Sequence, residues 1–152
     1  RSADELVLSV QASAIQTLML HFAPDNPDLV RIPVSIPSHS RYMASAVEPL
    51  HQHLLDSACA DPGLPLLASI TGRQVSSREE TIGMLSDQLT RTVRWDRCME
   101  AIAQAGIETV IELGPGMDLT RLLTREYPDI SACSVDEFPR ISHFQQWLSP
   151  KK

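Results

Sequence analysis

The chain has 152 residues, a formal net charge of −6 and a hydrophobic fraction of 43%, which suffices for one folded domain with a sizeable core. The acidic balance argues against a nucleic-acid-binding protein, and no run of about 18 apolar residues predicts a membrane span. Three cysteines at wide spacings suggest neither a zinc site nor a disulfide framework, so a reduced, cytoplasmic setting is expected.

The first third of the chain predicts a strand, a helix and a second strand. Leu6–Val10 and Leu29–Val34 have the composition of short strands, and Ala12–Phe22 carries apolar residues along one helical face. Pro33 lies within the second strand, and proline cannot donate to a ladder, so this strand is predicted to lie at a sheet edge.

The segment VSIPSHSRYM, residues 34–43, joins the second strand to another predicted helix. Ser38 or Ser40 can cap this helix, and Pro49 predicts a kink or a broken turn inside it. His39 therefore lies where a strand ends and a helix begins, which is where α/β folds often place their chemistry. From the residues alone, a structural or capping role and a role as catalytic base both stay open for His39.

The rest of the chain alternates short strands with helices, as α/β folds do. The predicted elements are a hairpin of Leu66–Ile70 and Gln74–Val75, a helix from a capping box at Ser77 to about Arg91, a helix that follows Trp95 and ends at Gly106, a strand at Thr109–Leu113, a helix with Leu119, Leu122 and Leu123, a strand at Ser131–Val135 and a helix at Ile141–Leu148. This order predicts an α/β fold with some parallel sheet.

The turn Gly114-Pro115-Gly116 lies between a predicted strand and a helix, where backbone N–H groups favour anions. The turn lacks the Lys-Ser/Thr pair of a P-loop and the third glycine of a dinucleotide fingerprint. Pro115 also removes one N–H donor. A tight structural turn is therefore the favoured interpretation.

The other histidines offer no site. His51 and His53 are two apart on a predicted helix, so they point to different faces and are expected at the surface. His21 and His143 are isolated, and no metal site is predicted. The segment G-x-S-x-G does not occur in the 152 residues, so no serine partner for His39 is apparent.

Four ordered blocks resemble malonyl-CoA:acyl carrier protein transacylases and the related acyltransferase domains of polyketide synthases. They are VSIPSHSRYM; QLTRTVRW at 88–95, similar to Q-L-x-x-P-V-x-W; AIAQAGIETVI at 101–111; and ELGPGMDLTRLL at 112–123, similar to E-x-G-P-G-x-x-L-T. The resemblance extends from about Leu6 to the end and corresponds to the C-terminal half of the family. The ending SVDEFPRISHFQQWL resembles the transacylase subunit of malonate decarboxylase systems.

The resemblance implies an α/β-hydrolase-like acyltransferase domain with an inserted ferredoxin-like small subdomain. Residues 1–36 would be the remnant of the small subdomain, its last strand–helix–strand. Residues 37–152 would be the C-terminal part of the large acyltransferase subdomain.

The resemblance also implies roles for single residues. His39 would be the general base and acid, Gln88 would orient it through the backbone carbonyl, and Ser38 would line the acyl pocket. Because a main-chain oxygen orients His39, the side chain of Gln88 should matter little. Thr92 stands where the family usually has proline, which is expected to loosen the loop that places Gln88, and Thr90 stands where an aromatic residue is common.

The implied reaction is ping-pong malonyl transfer from a CoA thioester to an enzyme serine and then to the phosphopantetheine thiol of acyl carrier protein, with no bound cofactor. The family's oxyanion glutamine, its G-H-S-x-G elbow and its malonyl-binding arginine find no match among these residues. The alternative is therefore an inactive remnant that acts, if at all, as an interaction module. We expect the chain alone to be inactive, and to self-associate through apolar surface that the other half would cover.

Overall fold

The computed structural model describes residues 6–27 and 29–149, which form two compact units, residues 6–94 and 95–149. The predicted subdomain boundary between residues 36 and 37 stays a prediction, because contacts within this chain do not test the family's subdomains. No helix in the described ranges is long and apolar enough to cross a membrane.

The unit 6–94 combines helices with one small hairpin. Its elements are helix α1 at Ala12–Phe22, a 3-10 turn at Arg41–Met43 that leads into α2 at Ala44–Asp56, strands β1 at Leu66–Ala68 and β2 at Arg73–Val75, and α3 at Arg78–Gln88. The strands β1 and β2 pair antiparallel, and α2 packs against α3. The hairpin and the three helices agree with the sequence predictions in type and in approximate position.

The two strands predicted on either side of α1 do not form. Residues 6–10 and 29–34 have no regular structure, and they pair with no strand among the described residues. A segment forms a strand of a sheet only when its backbone N–H and C=O groups make hydrogen bonds to a neighbouring strand. The apolar side chains that suggested strands lie in solvent instead, with Leu6 80% and Val30 79% exposed.

Of the kink or broken turn predicted at Pro49, the broken turn does not occur, because α2 continues through Pro49 from Ala44 to Asp56. The helix α3 begins at the predicted cap, where the Ser77 hydroxyl accepts a hydrogen bond from the Glu80 amide at 3.1 Å. The Glu80 carboxylate accepts from the Ser76 amide rather than from that of Ser77, so the predicted capping box is shifted by one residue. The helix ends at Gln88, three residues before the predicted end.

The unit 95–149 contains the predicted parallel sheet. Its elements are α4 at Trp95–Gln104, β3 at Thr109–Glu112, α5 at Asp118–Glu126, β4 at Ser131–Ser134 and α6 at Ile141–Leu148. Strands β3 and β4 pair in parallel with Ile111 opposite Cys133, as expected when a helix connects two strands. Met99, Leu123 and Ile130 form its buried core.

Candidate functional site

His39 has an unusual backbone conformation. Its φ is +60°, and it is the one non-glycine residue with a positive φ in the part of the chain that the structure describes. For a residue with a Cβ, this left-handed region costs roughly 1–2 kcal/mol. Such strain persists where the surroundings impose it, and it is concentrated at functional sites. No sequence pattern reveals this feature.

The imidazole of His39 contacts the end of α3. Its Nδ1 lies 2.8 Å from the carbonyl oxygen of Gln88. A carbonyl oxygen only accepts hydrogen bonds, so Nδ1 carries the hydrogen and donates it. In the neutral ring Nε2 is then the free acceptor, and His39 itself is exposed. The geometry therefore prepares Nε2 to accept a proton from another group.

The position of Gln88 explains why its carbonyl is available. Gln88 is the last residue of α3, and the last four carbonyls of a helix have no helical partner. The contact joins the two residues that the family resemblance links. Their catalytic roles stay a prediction.

Three further hydrogen bonds, all made by Ser40, fix the backbone beside His39. The amide of Ser40 donates to the carbonyl of Leu89 at 3.2 Å, so residues 39 and 40 bind the successive carbonyls of residues 88 and 89. The Ser40 hydroxyl donates to the carbonyl of Pro37 at 2.7 Å and accepts from the amide of Tyr42 at 3.3 Å. Ser40 is therefore the helix cap, while Ser38 is exposed beside His39.

The loop after Gln88 is held although Thr92 replaces the family proline. The amide of Thr90 donates to the carbonyl of Asp87 at 3.1 Å, and the Arg91 guanidinium lies 3.2 Å from the Asp87 carboxylate. At the far end of the loop, the amide of Arg94 donates to the carbonyl of Ser69 at 2.7 Å. These bonds hold the loop at both ends while the carbonyl of Gln88 contacts His39.

The histidines of α2 differ from one another. His53 is exposed, as predicted. His51 is half-buried instead, because its Nδ1 lies 3.2 Å from the hydroxyl of Ser86, which is 3% exposed on α3. Within the described ranges, no three His, Cys, Asp or Glu side chains are grouped as a metal site would require.

In the unit 95–149, two amides in and just after the glycine turn that precedes α5 donate hydrogen bonds to carboxylates of the same unit. The amide of Gly116 donates to Asp136 at 2.7 Å, and the amide of Thr120 donates to Glu112 at 2.8 Å. The buried hydroxyl of Ser134 donates to the carbonyl of Gly116 at 2.6 Å. Because these two amides already donate to carboxylates of the chain itself, they are not available to bind a phosphate. This supports the interpretation of the turn as structural.

Arg78, the first residue of α3, binds the C-terminal end of α2 and the chain that follows it. Its guanidinium donates to the carbonyls of Leu55 at 2.5 Å and of Cys59 at 2.9 Å. A hydrogen bond from Ser57, aided by the positive charge of Arg78, lowers the pKa of the exposed Cys59 thiol. At the buried Cys133, by contrast, desolvation raises the pKa of the thiol.

No family model matches the chain. It is 30% identical to the malonyl CoA-acyl carrier protein transacylase of Salmonella typhimurium over 111 residues, which are 73% of this chain and 36% of that protein. It is also similar in structure to the acyl-carrier-protein S-malonyltransferase of Bartonella henselae, with 31% identity, a TM-score of 0.75 and 90% of this chain covered. The chain belongs to the malonyl-CoA:acyl carrier protein transacylase family. The resemblance drawn from the four sequence blocks is thereby confirmed.

The chain is also similar to a chain in the structure of a type II polyketide synthase acyl carrier protein in complex with its malonyl-transacylase. The two chains are 32% identical and superpose with a TM-score of 0.64, over 68% of this chain and 34% of the other chain. This chain spans less than half the length of the transacylases it matches: 36% of the S. typhimurium protein and 44% of the B. henselae chain. The match to the malonate decarboxylase subgroup stays a prediction.

Proposed function

We propose that the chain takes part in malonyl transfer from CoA to an acyl carrier protein, with His39 as the general base and acid. The observation that carries the proposal is the 2.8 Å contact between His39 Nδ1 and the carbonyl of Gln88, made by a residue held at φ +60°. The names of the S. typhimurium relative and of the carrier-protein complex support the substrate and the acceptor.

The proposed reaction has two halves. First, Nε2 of His39 takes the proton from a serine hydroxyl while the serine oxygen attacks the thioester carbon of malonyl-CoA. The tetrahedral intermediate expels CoA, whose sulfur receives that proton. In the second half, the phosphopantetheine thiol of the carrier protein gives its proton to Nε2 and attacks the serine ester, and the serine oxygen leaves with the proton. CoA and phosphopantetheine are thus substrate carriers, and no resident cofactor is required.

Gln88 fulfils the orienting role without a charge. A triad aspartate fixes the histidine tautomer and stabilises the imidazolium, whereas a peptide carbonyl fixes the tautomer alone. We propose that Ser38 lines the acyl pocket, because it is exposed directly beside His39 and its small side chain leaves room for a substrate.

The attacking serine would come from residues outside this sequence, because G-x-S-x-G does not occur in the 152 residues. We therefore expect the 152-residue chain alone to form no malonyl-enzyme. A band of labelled malonyl on this protein after gel electrophoresis would contradict this expectation.

A hybrid enzyme tests the role of His39. In the hybrid, this chain replaces the matched segment of the S. typhimurium transacylase, and labelled malonyl transfer to acyl carrier protein is measured. We expect His39→Ala to lower kcat by about 10³-fold or more, since a triad base and its nucleophile act as a unit. His53→Ala, an exposed histidine of α2, serves as the matched control and should leave kcat unchanged. An active His39→Ala hybrid would refute the proposal.

We also propose that a second copy of the chain covers its exposed apolar segments. Leu6, Val7 and Leu8 are 80%, 78% and 73% exposed, and Val30 is 79% exposed. Exposed apolar side chains of this kind favour association. Light scattering should show a mass that rises with protein concentration, and Leu6→Ser with Val30→Ser should lower it. A constant monomer mass at high concentration would contradict self-association.

A further inference from the structure

We infer that Ser69 is a positioning residue, whose hydroxyl holds Gln88 so that the Gln88 carbonyl stays on His39. The inference rests on the proposed function of His39. It concerns a side chain in the hairpin, outside the four sequence blocks that identify the family.

The geometry places Gln88 between two partners. Its main-chain oxygen accepts from His39 at 2.8 Å, and its side-chain Oε1 accepts from the Ser69 hydroxyl at 2.6 Å. The side chain of Gln88 was expected to matter little. The structure instead gives it a short hydrogen bond to the residue that directly follows β1.

Ser69 also binds the far end of the same loop. Its carbonyl accepts from the amide of Arg94 at 2.7 Å, so one residue holds both position 88 and position 94. The loop between them carries Thr92 in place of the family proline. The two hydrogen bonds that Ser69 makes, one donated and one accepted, thus supply a constraint on loop geometry that a proline ring would otherwise impose.

Ser69 is itself anchored. Its neighbours Ala68 and Ile70 are 8% and 4% exposed, and the β1–β2 pairing holds Ala68 opposite Arg73. By contrast, Gln88 ends a helix, where the last turn frays readily. The hairpin, which is anchored by buried side chains, is therefore the firmer partner, and the Ser69 hydroxyl transmits its position to the Gln88 carbonyl.

The hybrid enzyme tests this inference with four variants and one control variant. Ser69→Ala removes the donor and Gln88→Met removes the acceptor, and each is expected to lower kcat about tenfold with KM changed less than about twofold, because misplacing a catalytic group costs rate rather than uniform binding. The Ser69→Ala/Gln88→Met double variant should fall no further, since both changes break one bond. Ser69→Thr keeps a hydroxyl and should restore most of kcat. Ser76→Ala is the matched control, because Ser76 is exposed and directly follows β2 as Ser69 follows β1.

A second readout needs no activity. Nitrogen-15 NMR of the His39 ring in the 152-residue chain reports which nitrogen carries the hydrogen. We expect the Nδ1–H tautomer in the unchanged chain and in Ser76→Ala, and a raised share of Nε2–H in Ser69→Ala and Gln88→Met. Thermal melting shows whether each variant folds. If either Ser69→Ala or Gln88→Met fails to fold, the tautomer measured in the other variant tests the inference.

The outcomes separate the two proposals. If His39→Ala abolishes transfer while Ser69→Ala and Gln88→Met match Ser76→Ala in kcat and in tautomer, the positioning role of Ser69 is wrong and the role of His39 stands. If His39→Ala retains full transfer, the proposed function fails and the role of Ser69 in catalysis fails with it.

Discussion

The strained backbone at His39 predicts an inverted order of stability between alanine and glycine. At most helical or strand positions, glycine is less stable than alanine by roughly 0.5–1 kcal/mol because it loses more chain entropy on folding. At φ +60°, alanine instead carries a steric cost of roughly 1–2 kcal/mol that glycine avoids. The two terms oppose each other, so His39→Gly should be more stable than His39→Ala by roughly 0.75 kcal/mol at the middle of these two ranges.

The comparison isolates the backbone because both variants lose the same hydrogen bond to Gln88. Amide hydrogen exchange in α2 and α3 measures the free energy of opening of the unit that contains His39, and urea denaturation gives an independent value. His39→Asn should fall between the other two, since asparagine tolerates the left-handed region. An alanine variant that equals or exceeds the glycine variant in stability would refute the argument from strain.

Three further predictions concern stability and thiol reactivity. Gly83 lies inside α3, and a methyl group added there would meet no atom within 4 Å, so Gly83→Ala should raise the free energy of unfolding by about 1 kcal/mol. Gly116→Ala should lower it by a similar amount, because Gly116 has φ +91°; equal urea midpoints for the two variants would contradict this pair. Arg78→Ala should lower the free energy of unfolding by about 1–2 kcal/mol, through loss of the charged hydrogen bonds to carbonyls at the end of α2 and just after it; a midpoint equal to that of the unchanged chain would contradict the stabilising role of Arg78. Iodoacetamide at pH 8 should alkylate Cys59 before Cys133, because the pKa of the first thiol is lowered and that of the second is raised; mass spectrometry showing the reverse order would contradict it.

Local signals in the sequence predict much of the fold. Ser77 marks the start of α3 because a serine hydroxyl accepts from an amide at the first turn. Gly106, at φ +68°, follows the end of α4 because glycine adopts the left-handed conformation readily. The strands near Leu6 and Val30 were wrongly predicted because strand formation depends on a partner elsewhere in the molecule, which apolar alternation within one segment cannot supply.

The candidate site is predicted less completely. The contact between His39 and Gln88 joins residues 49 positions apart, and only the family resemblance pointed to it. The positive φ of His39 and the bond from Ser69 to Gln88 have no sequence pattern, because each results from tertiary contacts. The half-buried position of His51 likewise depends on how α2 packs against α3.

Single-turnover malonylation of the hybrid enzyme tests most directly whether His39 is the base. Quenched-flow mixing with labelled malonyl-CoA measures formation of the malonyl-enzyme, and later addition of acyl carrier protein measures its consumption. If His39 is the base, His39→Ala slows both half-reactions by about 10³-fold or more, while His53→Ala slows neither. Malonyl-enzyme formation by His39→Ala at the rate of the unchanged hybrid would contradict it.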